Sequence, residues 1–186
     1  MPKLVNLIAI CSCIATLIFA TIYLKTANAV CFSLAITCGT TAYHFVMRLA
    51  VGLVLNQAMH NRADYNRRWF QPKSFEEKIY QKLHVKSWKG RMPTYRPEIF
   101  STKAHSLEDI AQAMCQSEIV HEIIVVLSFV PLAASVWFGS FAVFLITSVL
   151  AAGFDMIFVI MQRYNRPRIL KVIQKRQSKF EKAVQK

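Results

Sequence analysis

At 186 residues, the chain is 54% hydrophobic and carries 23 Lys+Arg against 10 Asp+Glu, a net charge of +13. That apolar content excludes a disordered chain, and only 5 Gly and 6 Pro exclude collagen-like or low-complexity classes. A soluble domain of this size is usually about 45–50% apolar with its charges interspersed. Here the charges are segregated from long apolar runs, which predicts an all-α integral membrane bundle of four spans with basic water-facing segments.

The first run, Leu4 to Leu24, is uncharged and 21 residues long. At about 1.5 Å per residue it matches a hydrocarbon core of about 30 Å. Ala27-Asn28-Ala29 resembles a peptidase site, but the apolar core exceeds the usual secretory h-region of about 7–15 residues, so a retained span is expected. The second run, residues 30–55, carries His44 and Arg48 one helical turn apart, on one face. The third and fourth, 119–138 and 141–161, are separated by Gly139-Ser140 alone, a tight helical hairpin with Trp137 and Phe138 at the interface.

The five cysteines show no zinc-ribbon, CxxC or disulfide spacing. Cys11, Cys13, Cys31 and Cys38 lie within apolar runs and Cys115 near one, as small buried apolar residues would.

Segment 56–117 holds eleven Lys+Arg and the tail 162–186 holds nine, whereas loop 25–29 holds only Lys25 and the Gly139 turn none. The positive-inside rule then places both basic segments and both termini in the cytoplasm, in a multi-pass protein of the cell membrane forming a single membrane domain over 1–186. Within the middle segment, Ser74-Phe75-Glu76-Glu77 predicts a capping box opening a helix with Phe75, Ile79 and Leu83 on one face. Lys78, Lys82 and Lys86 flank that face, as expected of a helix lying at an anionic bilayer surface, although the face could instead pack on the spans. Ser106-Leu107-Glu108-Asp109 predicts a second helix start running into the third span, with Pro93 and Pro97 punctuating the stretch before it. The tail from Lys171 to Lys186 alternates basic and apolar residues, predicting a basic amphipathic helix. Topology accounts for its charge, and no nucleic-acid partner is expected.

Ionisable groups in apolar spans cost on the order of 2–3 kcal/mol or more at mid-bilayer, so they mark sites or structural pairs. His44, Arg48, Glu118, His121, Glu122 and Asp155 qualify. Glu118 and His121 are three apart, a spacing that lets a carboxylate orient an imidazole as a general base. Glu-x-x-His is also a di-iron ligand spacing, but one copy is too few, leaving a mononuclear His44–Glu118–His121 metal site as the alternative. Asp155 could brace Arg48. The string Gln162-Arg163-Tyr164-Asn165-Arg166-Pro167-Arg168 closes the fourth span with three arginines suited to phosphate or carboxylate, and an asparagine suited to a sugar hydroxyl. Glycine-rich phosphate loops, GxSxG and HExxH are absent, as is any internal repeat of the transporter kind.

The string Met161–Arg168 resembles the signature closing the last span of the glycosyl-4,4'-diaponeurosporenoate acyltransferases, small bacterial membrane enzymes of a carotenoid pathway. Three further stretches resemble that family in the same order: Phe75-Glu76-Glu77-Lys78, Leu83-His84-Val85-Lys86-Ser87-Trp88-Lys89 and Ser117-Glu118-Ile119-Val120-His121. Together they cover roughly residues 65–175. The resemblance implies transfer of a fatty acyl group onto a hydroxyl of a membrane glycolipid. It implies functional positions at Glu118, His121, Gln162, Arg163, Tyr164, Asn165, Arg166 and Arg168.

Chemical reasoning adds roles. His121, held by Glu118, would deprotonate the acceptor, and Arg163, Asn165 or His44 would stabilise the oxyanion. Gln162, Arg163, Tyr164, Asn165, Arg166 and Arg168, with His44 and Arg48, would bind substrate. The expected partners are membrane lipids and an acyl thioester, acyl-CoA or acyl carrier protein, with no metal or other cofactor. Three non-acyltransferase readings stand beside this one: a metal-assisted lipid-modifying enzyme, a non-catalytic adaptor on anionic lipid, and proton-coupled transport, for which four spans would require an oligomer. The longer N-terminal part, with its full second span, departs from the family pattern and leaves the acceptor open.

Overall fold

A computed structural model describes residues 2–88 and 97–184, so Lys89, Pro93 and the last two tail residues lie outside the described residues. Of those residues 84% are helical and none lies in a strand. Among the described residues six α-helices follow in order: α1 Pro2–Thr26, α2 Ala29–Met59, α3 Glu76–Lys82, α4 Leu107–Leu127, α5 Pro131–Phe138 and α6 Phe141–Val184. Short 3₁₀ turns lie at Arg68–Phe70, Val85–Trp88 and Pro97–Phe100. Four helical stretches are long and apolar enough to cross a membrane, Lys3–Thr26, Ala29–Met59, Leu107–Phe138 and Phe141–Val184. Their large apolar side chains, Leu17, Leu24, Leu53, Val126 and Leu150 among them, point outward, as they do where the surrounding solvent is lipid. Cys11 and Cys13 are outward-facing too, whereas Cys115 is fully buried, and all five thiols are free.

Two compact units form, Met1–Val54 with Glu122–Met156 and Leu55–His121 with Ile157–Lys186. In the first, Asn28 caps α2 by accepting from Val30 N at 2.8 Å, after Ala27 turns the chain at φ 51°. The third apolar run is not the uninterrupted helix its hydropathy predicts. It breaks at Ser128-Phe129-Val130, because Pro131 has no N–H to give the Leu127 carbonyl four residues back. Two donors replace it, Val130 N at 3.1 Å and the Tyr43 hydroxyl of α2 at 2.9 Å. Backbone groups in a bilayer must be satisfied internally, and a side chain from another helix does so here. The hairpin after α5 is as expected, with Gly139 at φ 66° and Ser140 at φ 52°.

Arg48 is braced by Asp155 as its position predicted. Its Nε donates to Asp155 Oδ2 at 2.9 Å, Nη2 pairs with the same oxygen, and further donors reach the carbonyls of His44 at 3.0 Å and Ala151 at 3.1 Å. Asp155→Ala is expected to cost about 3–5 kcal/mol by leaving Arg48 without its counter-charge. Adding Arg48→Met should recover a large part of the loss, read as the thermal midpoint of the detergent-solubilised protein.

In the second unit, α2 ends in a left-handed turn at His60 and Asn61, φ 49° and 59°. The Asn61 N–H donates to the buried Gln116 Oε1 of α4 at 2.7 Å. A small core follows, of Ala63, Phe70 and Cys115 with Met59, Tyr65 and Ile119. At α4 the expected capping box is present. Ser106 Oγ accepts from Asp109 N at 3.0 Å, and Asp109 Oδ2 accepts from Ser106 N at 3.3 Å. At α3 it is absent, because Phe75 occupies the cap position and no side-chain cap bond forms. The tail is not a separate helix but the continuation of α6 through Pro167 to Val184.

Candidate functional site

α3 turns its polar face inward. Phe75, Ile79 and Leu83 are exposed, while Glu76 and Tyr80, one turn apart, are buried. The apolar face therefore does not pack on the protein, and the inward face is polar. Burying a carboxylate is costly unless it is paired, so Glu76 requires a cation.

Arg163 of α6 is that cation. Its Nε and Nη2 donate to Glu76 Oε1 at 2.9 and 2.6 Å, and its Nη1 donates to Glu118 Oε1 of α4 at 2.5 Å. Arg166, three residues on and on the same helix face, gives Nη1 to Glu118 Oε2 and Nη2 to the Phe70 carbonyl at 2.5 Å. The 3₁₀ turn Arg68–Phe70 leaves carbonyls without helical donors, and the arginines use them. Arg163 also reaches Trp69 O at 3.2 Å and Gln71 O at 3.4 Å, and Arg166 lies over the Phe70 ring at 5.0 Å. Glu118 is 0% exposed and Arg166 1%, so two carboxylates and two guanidiniums form a neutral network inside the unit. Gln162 Nε2 donates to Ser117 Oγ at 3.2 Å beside it, a second tie between α6 and α4.

This arrangement corrects one expectation. Glu118 does not hold His121: its hydrogen bonds go to Arg163 and Arg166, because a buried carboxylate gains most from cationic donors. His121 is half-buried, its ring stacked on Phe158 at 4.7 Å between centroids and 11° between planes. Arg163 gives all three of its guanidinium nitrogens to carboxylates and carbonyls of the unit, and Arg166 gives both of its terminal nitrogens to Glu118 and the Phe70 carbonyl. His44 and Arg48 belong to the other unit, with Arg48 held by Asp155, and Asn165 is half-buried on α6. Among the described residues, no three His, Cys, Asp or Glu side chains gather as metal ligands would.

Beside the network lies an open groove of about 720 Å³ between α3, the turn after it and α6. Glu77, Tyr80, Gln81, His84, Lys86 and Ser87 line one side, and Tyr164 and Arg168 the other. Tyr80 and Tyr164 meet edge to face at 5.4 Å, and Tyr80 donates its hydroxyl to Glu76 Oε2 at 2.9 Å. Burial first, and then that bond, raise the Tyr80 pKa above the ordinary tyrosine value, so the phenol stays a donor at all physiological pH. Arg168 lies 3.4 Å over the Tyr164 ring and donates Nη1 to the Tyr164 carbonyl at 3.1 Å, which fixes the guanidinium at the rim.

Tyr164 and Arg168 are thus the predicted residues that meet the groove. Glu76, Tyr80 and His84 escaped prediction because they lie outside the spans, where ionisable residues are unremarkable. Glu76 and His84 belong to the two short strings between residues 75 and 89, and Tyr80 lies between those strings. Across the unit, residues from all four strings come together: Glu76 and Glu77, His84 to Ser87, Glu118, and Gln162 to Arg168.

No curated protein and no solved structure matches the chain. Residues 66–175, more than half its length and spanning all four strings, match the glycosyl-4,4'-diaponeurosporenoate acyltransferase family. The chain therefore belongs to that family of acyltransferases.

Proposed function

We propose that the protein transfers a fatty acyl group from a thioester donor, acyl-CoA or acyl carrier protein, onto a hydroxyl of a membrane glycolipid, with the sugar seated in the groove. The supporting observation is that residues from all four family strings build one unit. Some form a buried charge network and others an adjoining open groove of polar and aromatic side chains. Such a lining suits a sugar. Tyrosine rings offer apolar faces, and Glu77, Gln81 and Arg168 offer fixed polar groups for hydroxyls. Glu118, Arg163 and Arg166 then act as positioning residues, holding α4, α6 and the Trp69–Gln71 backbone in one arrangement.

The basic residues on segment 56–117 and the tail support placing this unit on the cytoplasmic side, where thioester donors are found. Phe75, Ile79 and Leu83, exposed on α3 beside its lysines, suit the surface of that leaflet and bring the groove to lipid headgroups. Lipid profiling tests the reading. Cells lacking the protein should lose an acylated glycolipid and accumulate its unacylated form. The native chain should restore the product, and a Tyr164→Ala/Arg168→Ala chain should not. An unchanged lipid profile on loss of the protein would remove the acyltransfer reading.

A further inference from the structure

A sugar hydroxyl is a poor nucleophile at neutral pH, and its attack on a thioester needs a general base within hydrogen-bond reach. Resting on the acyl-transfer reading above, we infer that this base is His84, not His121. Among the described histidines, His84 lines the groove, and His121 does not. The backbone presents it there. α3 ends at Lys82, and His84 takes a left-handed conformation, φ 52°, which non-glycine residues seldom adopt. Two bonds hold the turn: the Ser87 N–H and the Ser87 hydroxyl both donate to the His84 carbonyl, at 2.8 and 2.9 Å.

The ring itself is oriented. Nδ1 lies 3.2 Å from the Lys82 carbonyl, which can only accept, so Nδ1 carries the hydrogen in the neutral ring. That tautomer leaves the Nε2 lone pair as the proton acceptor. A carbonyl oxygen thus does for His84 what Glu118 was expected to do for His121. Around the ring, the groove carries Glu77, Lys86 and Arg168 with the two tyrosines.

The step balances. Nε2 takes the proton of the acceptor hydroxyl as its oxygen attacks the thioester carbonyl carbon, forming the C–O bond. The tetrahedral intermediate collapses, the C–S bond breaks, and the leaving sulfur takes the proton from Nε2. Products are an ester and a free thiol, with His84 neutral again.

The test uses the full chain in detergent micelles, with palmitoyl-CoA as donor and dodecyl-β-glucoside as acceptor, followed by free thiol release and ester formation. His84→Asn is the informative variant. Asparagine tolerates the left-handed backbone, and its side-chain N–H₂ can still donate to the Lys82 carbonyl, but it has no basic nitrogen. Expected is a fall in kcat of about 100-fold or more with KM for the glucoside changed less than about threefold. In His84→Gly, added imidazole should restore part of the rate. His121→Ala, if it folds, should keep kcat within about tenfold of the native value. If the native chain is active and His84→Asn keeps its kcat, His84 is not the base although acyl transfer stands. If the native chain releases no thiol and forms no ester with this pair, the acyl-transfer reading fails and the inference falls with it.

Discussion

Glu118→Gln alone is expected to damage the protein more than Glu118→Gln combined with Arg166→Met. The native network holds two carboxylates and two guanidiniums, with Glu118 and Arg166 almost wholly shielded from solvent. Removing the Glu118 charge leaves Arg163 and Arg166 facing only Glu76. A buried cation without its counter-charge costs about 3–5 kcal/mol. Removing Arg166 as well restores neutrality, since Glu76 and Arg163 remain paired. The methionine fills much of the volume of the arginine stem, at the expense of the bond to Phe70 O and the contact with the Phe70 ring. The double variant should therefore recover on the order of 1–3 kcal/mol relative to Glu118→Gln. Thermal midpoints and folded yields of the four chains in one detergent measure the coupling. Strictly additive losses would show that the charges do not act as one network.

The second large expected effect separates two neighbouring glutamates. Glu76→Gln should cost about 2–4 kcal/mol of stability, because Glu76 is buried and accepts two Arg163 donors and the Tyr80 hydroxyl. Glu77→Gln should change stability by no more than about 0.5 kcal/mol, because Glu77 is exposed at the groove and, among the described residues, its side chain hydrogen-bonds with Gln81 alone, at 3.3 Å. Activity should divide them the other way. With the same acceptor, Glu77→Gln should raise KM for the sugar severalfold in a protein of native thermal midpoint. Stability and steady-state measurements on both variants check this, and equal effects on both quantities would remove the distinction between network and groove.

These expectations could not have been written from residue order. Glu76 sat in a string that fits a capping box, a local and adequate explanation for its presence. Only the packing of α3 showed that no cap forms and that this carboxylate meets Arg163, 87 residues away. The Glu118-x-x-His121 spacing was likewise sound helix geometry, but i,i+3 proximity permits a bond without requiring one. Two arginines outbid the imidazole because each brings a positive charge to a fully desolvated carboxylate. Arg48 and Asp155 were legible in advance. Within an apolar run an arginine has few possible counter-charges, and the fourth span offered one.

Hydropathy and charge by themselves determined the helical class, four helical stretches fit to span a bilayer, the Gly139 hairpin and the start of α4. These depend on local sequence and on the solvent around each stretch, which here includes lipid. The tertiary structure decided which face of α3 turns inward, where the third span breaks and what repairs it. It also decided which of the arginines closing the fourth span are spent on internal carboxylates and which borders the groove. Each of those outcomes depends on whether a buried charge or carbonyl finds a partner from a distant part of the chain. Such pairing is a property of the packed molecule, and composition carries no trace of it. Of the three arginines closing the fourth apolar run, Arg163 and Arg166 pair with carboxylates within the protein, whereas Arg168, with Lys86, remains at the groove.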